Sequence, residues 1–240
     1  MGFILKSLLN DLLETLTGRR LTQQIDYLGE SRSKLISQYS IDTVIDVGAN
    51  KGQWAKSLVE QFPATNFHSF EPLPNVYKYL ELSARGHKNW SVYNQGVGSR
   101  KETRRINVAS NSGLSSSFLE SSNHSVVHPH IVFEKIDLEI DIMPLDDFMN
   151  YGSRNFLKID TGGYENSVLE GISNKLRLIS AVEIESSFTP MYEGELSHHH
   201  LVSRLGDSGF VPISFGNVHR DQSGRVWQLD TLLINRELIE

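Results

Sequence analysis

The segment Val44-Ile45-Asp46-Val47-Gly48-Ala49-Asn50-Lys51-Gly52 constrains the fold more than any other part of this 240-residue chain. Its apolar residues predict a buried strand, and Gly48 then predicts a tight turn into a helix that begins near Lys51. A strand that delivers a glycine turn to a helix N-terminus leaves free backbone N–H groups, which can hold an anionic or polar ligand. The segment therefore predicts the first βα unit of an α/β sheet, with a ligand site at the carboxyl end of the strand.

Strands and helices continue to alternate along the chain, which favours parallel βαβ units over a β-sandwich. Apolar runs predict strands over 66–71, 90–94, 156–160, 179–185, 210–215 and 226–234, and helical spacing predicts helices over 51–62, 74–85, 165–171 and 199–207. The link before the last strand, with the turn Asp221-Gln222-Ser223-Gly224, is too short for a crossover. The last strand is therefore expected to run antiparallel to the others.

Two regions depart from this alternation. Residues 1–40 are predicted to form a helical N-terminal extension, with a leucine stripe from Leu5 to Leu16 and a second helix from about Thr22 to Tyr39. The stripe lacks the basic polar face of a membrane-surface helix, so packing on the sheet or in a homodimer is preferred. Residues of about 97–150 are predicted to form a β-rich insertion, in which 136–142 pairs antiparallel with 103–109. No linker divides residues 41–240, which are expected to form one domain.

The composition of the chain excludes several kinds of site and partner. The chain has no cysteine, which excludes disulfides, thiolate metal sites and a cysteine nucleophile. Its formal net charge of −6 gives no general attraction to phosphate backbones, so nucleic acid is not expected as a partner. No stretch approaches the ~18 consecutive apolar residues of a membrane span, and the N-terminus lacks the features of a secretory signal. A cytoplasmic protein without an integral membrane segment is expected.

The glycine positions discriminate between nucleotide cofactors. A nicotinamide dinucleotide site needs glycines where this chain has Asn50 and Gln53, and the P-loop pattern fails as well. The remaining pattern, D-x-G-x-N-x-G from Asp46, is that of the first loop of S-adenosylmethionine enzymes. Glu71 ends the second strand, 19 residues beyond Gly52, where an acid accepts hydrogen bonds from both ribose hydroxyls of a nucleoside.

Asp46 lies in an otherwise apolar strand, where a carboxylate is costly unless it has a partner. The α-amino group of a bound methionine moiety is one such partner, directly or through water. Alternatively, Asp46 and Glu71 cap the N-termini of neighbouring helices.

Five segments, in the same order along the chain, resemble the FkbM-type methyltransferases. They are Val44–Gly52, Phe70-Glu71-Pro72, Gly113-Leu114-Ser115-Ser116-Ser117, Met143-Pro144-Leu145-Asp146-Asp147-Phe148 and Phe156–Glu165, of which the K-I-D-x-x-G-x-E element is the most specific. The resemblance covers about residues 40–235 and implies a Rossmann-like class I methyltransferase fold with a seven-stranded, mostly parallel sheet. It also implies S-adenosylmethionine as methyl donor and O-methylation of a hydroxyl on a sugar or other natural product. Gly162 departs from the family, which usually carries Gln or Glu there.

Further cofactor contacts follow from this fold. The third strand ends at Asn94, Gln95 and Gly96, which face the adenine in this fold, and amides can read its edge by hydrogen bonds. Ser115 and Ser116 resemble a family feature, although such serines also form turns. The residues predicted to bind the cofactor are thus Asp46, Gly48, Asn50, Gly52, Glu71, Asn94, Gln95, Gly96, Ser115 and Ser116.

Asp160 is the predicted catalytic residue. It ends the fourth parallel strand, where ligands bind in open α/β sheets, and it can take the acceptor proton, orient the acceptor hydroxyl or bind the cofactor's amino group. Alternatively, it caps the next helix, whose N-terminus Glu165 is expected to stabilise. Glu185 could join Asp160 at a Mg²⁺ ion, but two carboxylates without a third ligand do not favour a required metal.

The histidines are assigned no metal role. Adjacent side chains on a helix diverge, so His198-His199-His200 is expected to be a solvated helix start. His128 and His130 are expected at the surface, with a role as general base as the alternative. Two other functions stay open: a nicotinamide-dependent oxidoreductase on a similar fold, and a non-catalytic S-adenosylmethionine-binding protein, for which Gly162 is the motivating departure.

Overall fold

A computed structural model describes residues 26–128, 130–134 and 138–239. Within these ranges the chain forms twelve strands and six α-helices, with three short 3₁₀ turns. In chain order they are α1 (Tyr27–Gln38), β1 (Thr43–Val47), α2 (Gln53–Gln61), β2 (Asn66–Phe70), α3 (Pro74–Ala84), β3 (Trp90–Tyr93), β4 (Gly96–Val97), β5 (Glu102–Arg105), β6 (Val108–Ala109), α4 (His124–Val127), β7 (Phe133–Glu134), β8 (Glu139–Met143), β9 (Asn155–Ile159), α5 (Glu165–Gly171), β10 (Ile179–Ser187), α6 (His198–Asp207), β11 (Phe210–Arg220) and β12 (Val226–Asn235). The 3₁₀ turns are Leu145–Asp147, Leu176–Leu178 and Arg236–Leu238.

Seven strands form the central sheet, in the order β11-β12-β10-β9-β1-β2-β3. Neighbouring strands from β3 to β10 pair in parallel, whereas β12 runs antiparallel to both β10 and β11. The order reverses between β1 and β9, which places a crevice at the carboxyl ends of these two strands. The predicted Rossmann-like class I fold, with its antiparallel last strand, is confirmed.

The central strands are buried on both faces, as parallel strands covered by helices are. Successive side chains point to opposite faces, so Ile45 and Leu157 belong to one apolar cluster, while Val44 and Phe156 belong to the other. Asp46 shares the face of Val44. Its carboxylate therefore enters a largely apolar layer, which it shares with the polar residues opposite it in register, Lys158 and Ser69.

Helix α1 completes the second of these clusters. The Asp26 carboxylate accepts a 2.9 Å hydrogen bond from the Gly29 backbone N–H and caps the helix. The side chains of Leu28, Leu35 and Ile36 are buried against the sheet. The described part of the second predicted helix is thus part of the domain core, whereas the leucine stripe at 5–16 lies outside the described residues.

The insertion forms a small sheet of its own, in which β8 pairs in parallel with β4 and antiparallel with β5. Where it is described, the predicted antiparallel pairing is confirmed, since Thr103 lies opposite Asp141. The Ser117 hydroxyl donates a 2.6 Å hydrogen bond to the Gly162 carbonyl, which ties the insertion to the carboxyl end of β9. Among the described helices, none is long and apolar enough to span a membrane.

Candidate functional site

The loop after β1 requires glycine at Gly48. Its φ is +80°, and a Cβ built there would lie 1.7 Å from the carbonyl oxygen of Asp160. The backbone N–H groups of Gly48 and Ala49 both donate to the Phe70 carbonyl, at 3.1 and 2.9 Å. Close backbone approach therefore joins the carboxyl ends of β1, β2 and β9 at one point.

Glu71 follows β2 and is 5% exposed. Its carboxylate accepts hydrogen bonds from the backbone N–H groups of Asn50, at 2.9 Å, and Leu73, at 2.8 Å. Burial raises the pKa of Glu71 to about 7, although these two hydrogen bonds oppose the shift. Asn50 itself adopts a left-handed φ of +49°. The acid thus stabilises the glycine loop while it faces a cleft.

That cleft, of about 650 Å³, lies between the carboxyl ends of the central strands and the insertion. Leu114 and Phe118 of the insertion contribute apolar walls. The predicted site residues that line the cleft are Gly48, Asn50, Glu71, Gln95, Gly96, Ser116 and Asp160. Most of the residues that the sequence singled out are therefore brought together at one concave surface.

Four predicted cofactor residues lie outside this lining. Gly52 has a φ of +83° and precedes α2, where a Cβ would meet the ring of Trp90. The Asn94 amide donates to the backbone carbonyls of Glu71 and Pro72, and the Ser115 carbonyl accepts from the Tyr192 hydroxyl. Asp46 is fully buried. Of these four, Ser115 lines the pocket that lies toward α4.

The partner of Asp46 is Lys158, which the sequence analysis missed as a site residue. The parallel register sets Asp46 opposite Lys158, whose Nζ lies 3.3 Å from Asp46 Oδ1 and 3.3 Å from Asp160 Oδ2. Nζ also donates to the Gly48 carbonyl at 3.1 Å. Burial lowers the pKa of Lys158, but the charges of Asp160 and Asp46 outweigh it and raise that pKa overall. The signal was present, because a lysine in a buried strand needs an acid as much as Asp46 needs a base.

Asp160 lies where three pockets meet. It lines the cleft described above, a pocket toward α4 with Tyr192, and an open pocket toward β11 with Phe215. Its side chain is 42% exposed, in contrast to the 7% of Lys158 beneath it. Asp160 is therefore a solvent-reachable carboxylate held by a buried cation.

Two further acids lie beside Asp160. Glu185 of β10 pairs in register with Asp230 of β12, and both line the pocket toward β11. Burial, followed by the charge of Asp160, raises the pKa of Glu185 well above its ordinary value, and burial raises that of Asp230 to about 7. Glu183, on the same strand face as Glu185, instead binds Arg32 at 2.6 Å. Within the described ranges, no group of three or more His, Cys, Asp and Glu side chains is placed to hold a metal ion.

The loop after Asp160 accounts for the unusual glycine. Gly162 has a φ of +61°, and a Cβ there would lie 2.9 Å from the Ser116 carbonyl oxygen. Glu165 is buried, and its carboxylate accepts hydrogen bonds from the N–H groups of Thr161 and Gly163, at 2.9 and 3.1 Å. Both donors precede α5, which begins at Glu165, so this carboxylate holds the loop between β9 and α5 in place.

The histidines divide by position. His199, His200 and His130 are exposed as predicted, whereas His198 is half-buried and its Nδ1 lies 2.8 Å from the Ser186 hydroxyl. His128 is also half-buried, and it lines the pocket toward α4 instead of lying on the open surface. His124, which the sequence analysis did not select, is buried in that pocket wall.

Several solved structures are similar to this chain. The magnesium protoporphyrin IX methyltransferase of Synechocystis PCC 6803, with bound SAM, is 11% identical and gives a TM-score of 0.49, with 96% of each chain covered. An rRNA methylase from Streptococcus thermophilus is 11% identical, with a TM-score of 0.48 over 89% of this chain and 99% of that one. A putative tRNA (m1A22) methyltransferase of Streptococcus pneumoniae is 14% identical, with a TM-score of 0.47 over 88% and 71%.

Comparison of the sequence with family models identifies the family of this chain. A search of curated proteins found no match to this chain. The family model described as the methyltransferase FkbM domain matches residues 46–212, from the carboxylate of β1 to the start of β11. This match spans well over half of the chain, and it includes the glycine loop, Glu71, the insertion and Asp160. The chain therefore belongs to the FkbM methyltransferase family.

Proposed function

We propose that this protein is an S-adenosylmethionine-dependent O-methyltransferase that acts on a hydroxyl of a sugar or other natural product. The observation that carries the proposal is the position of Asp160, which lines both the cleft at the glycine loop and the pockets beyond it. A methyl donor in the cleft and an acceptor in a neighbouring pocket would thus meet at one carboxylate.

The cleft fits the donor in its chemistry. Glu71 offers carboxylate oxygens for ribose hydroxyls, and Gln95 offers an amide for the adenine edge. Leu114 and Phe118 can cover a flat base. When bound there, S-adenosylmethionine supplies the methyl group on a positively charged sulfur.

Asp160 is the residue that would contact the acceptor hydroxyl. Its carboxylate can accept a hydrogen bond from the acceptor hydroxyl and take the proton as the acceptor oxygen gains the methyl group. Lys158, whose Nζ lies 3.3 Å from Asp160 Oδ2, holds this carboxylate in place. General-base catalysis typically accelerates a reaction by about 10²- to 10⁴-fold. Any further acceleration by this chain comes from positioning the acceptor and the donor beside Asp160, where the pockets meet.

Methyl transfer from isotope-labelled S-adenosylmethionine to a panel of glycans, lipids and polyketides tests the proposal. Asp160→Asn should lower transfer by at least about 100-fold while calorimetry shows unchanged affinity for S-adenosylhomocysteine. Asp207→Asn, at an exposed position at the end of α6, is the matched control and should retain full activity.

Other outcomes point to the two rival functions. Donor binding without a labelled product from any acceptor would favour a non-catalytic S-adenosylmethionine-binding protein. Binding of NAD in place of both sulfur nucleosides would instead favour an oxidoreductase.

A further inference from the structure

The pocket toward α4 is called the histidine pocket here, after His124 and His128 in its wall. It borders the cofactor cleft through three shared residues: Leu114, Asp160 and Gly162. The open pocket toward β11 shares only Asp160 with that cleft. The histidine pocket, of about 750 Å³, is therefore the more continuous extension of the cleft.

His124 is an unusual wall residue. It is 1% exposed, and its Nδ1 has no hydrogen-bond partner among the described residues. The rings of His128, Phe133 and Tyr192 surround it, with centroids at 4.9, 5.0 and 5.6 Å. A buried polar atom without a partner costs about 1–3 kcal/mol, and a ligand that bonds it recovers that cost.

The imidazole is held uncharged. Burial, and then the neighbouring His128, lower the pKa of His124 to about 4. A neutral imidazole has one donor and one acceptor nitrogen, so it can bond a hydroxyl in either sense. It offers no positive charge to an anion.

The rest of the described wall contains no permanently charged cation. Among the described residues that line the histidine pocket, none is Lys or Arg, and its carboxyl groups are those of Asp160 and Glu185. Its other two histidines are His128, whose pKa is lowered by burial, and His219. An acceptor with a phosphate, sulfate or carboxylate group in this pocket would lose its hydration beside two carboxyl groups, with no Lys or Arg of the described wall to pair with it. Amide and hydroxyl groups from Asn111 and Gln228 suit uncharged polar ligands instead.

We infer that the histidine pocket is the acceptor subsite, that His124 Nδ1 hydrogen-bonds an uncharged polar group of the acceptor, and that the pocket selects against acceptors whose bound portion is anionic. This inference rests on the proposed function, since it takes Asp160 as the point of transfer. It assigns specificity to the insertion, which supplies His124 and His128.

Nuclear magnetic resonance of the full chain labelled with ¹⁵N-histidine, in complex with S-adenosylhomocysteine, tests the inference. The probes are matched sets of hydroxylated compounds that differ in one charged group, beginning with methyl glucoside, glucose 6-phosphate and glucuronate. The uncharged members should shift the His124 imidazole resonances, and the anionic members should bind at least about tenfold more weakly.

Two variants separate hydrogen bonding from packing. His124→Phe keeps an aromatic ring but removes Nδ1, and it should weaken binding of the uncharged probes by about fivefold or more. His124→Asn restores a polar atom and should recover part of that loss. His130→Phe, at an exposed position nearby, should behave as wild type. Ligand-observed saturation transfer measures binding in each variant, and thermal unfolding and S-adenosylhomocysteine affinity confirm that each is folded.

The outcomes distinguish this inference from the proposed function. Failure of the wild-type chain to bind S-adenosylhomocysteine overturns both. Normal binding of that nucleoside overturns only the subsite when anionic probes bind as tightly as uncharged ones, when no probe shifts His124, or when His124→Phe binds as wild type does.

Discussion

Replacement of Lys158 by Met would show what holds the centre of the site together. Lys158 is 7% exposed and provides the cation for Asp46, which has no exposed surface, and for the partly exposed Asp160. Methionine keeps most of the aliphatic stem, so the packing loss is small. The main consequence is that the Asp46 carboxylate stays buried with only the Ser69 hydroxyl, at 3.0 Å, as its remaining side-chain partner.

The expected magnitude follows from that burial. Removal of one partner of a buried ion pair costs about 3–5 kcal/mol, because the other charge is left uncompensated. For a domain of this size each kcal/mol lowers the melting temperature by about 2–4 °C, so Lys158→Met should lower it by roughly 6–20 °C. The double variant Asp46→Asn, Lys158→Met removes both charges and should recover a substantial part of the loss.

The stability that Lys158→Met loses should also depend on pH. Burial already raises the pKa of Asp46, and loss of Lys158, whose charge opposes that shift, raises it further. A carboxyl group with a raised folded-state pKa stabilises the fold below its unfolded pKa and loses that contribution as the pH rises through the folded value. Lys158→Met should therefore be less destabilised at about pH 5 than at about pH 8.

Circular dichroism measures these changes, by thermal unfolding for the melting temperature and by denaturant unfolding for the free energy. Lys175→Met is the control, because Lys175 lies over the ring of Tyr151 but is only partly buried and donates to a backbone carbonyl, that of Phe148. A loss below about 1 kcal/mol for Lys158→Met would refute this account of the buried triad. So would a double variant that is no more stable than Lys158→Met alone.

Three further substitutions give separate tests. Gly48→Ala should abolish S-adenosylhomocysteine binding and destabilise the fold, because its Cβ would lie 1.7 Å from the Asp160 carbonyl oxygen; wild-type calorimetric and thermal behaviour would contradict this. Since burial raises the pKa of Glu71 to about 7, the affinity for S-adenosylmethionine should increase from about pH 6 to about pH 8 as the carboxylate forms. Glu71→Gln should bind this donor about tenfold more weakly, with an affinity that does not change with pH. A wild-type affinity that does not change with pH would count against the assignment. Arg32→Met should cost about 3–5 kcal/mol in denaturant unfolding, because Glu183 accepts hydrogen bonds from both Nε and Nη2 at 2.6 Å; a cost below about 1 kcal/mol would refute it.

Local sequence patterns predicted most of the fold. Apolar runs of five to nine residues predicted the strands of the central sheet, and the short last link predicted the antiparallel β12. Boundaries were less accurate where backbone conformation decided them. Helix α2 begins at Gln53, two residues after the predicted start, because the left-handed Gly52 cannot continue a helix.

The candidate site was predicted in part. Gly48, Asn50, Glu71 and Asp160 were found because each occupies the end of a strand, and parallel strands bring those ends to one edge. The orientation of Asn94 was not accessible in this way, since its amide is satisfied by two backbone carbonyls in the neighbouring loop. A side chain's partners depend on distances that a linear pattern does not contain.

Periodicity, glycine spacing and the order of motifs can be read from the sequence alone, and they were sufficient to predict the family, the sheet and the edge of the sheet at which the candidate site lies. The pairing of Asp46 with Lys158, the meeting of three pockets at Asp160 and the burial of His124 were decided by tertiary structure alone. Each of these depends on strand register or on packing between segments that lie far apart in the chain. The physical reason is that a buried polar group interacts with whatever lies within a few ångströms of it, however distant that neighbour is in sequence.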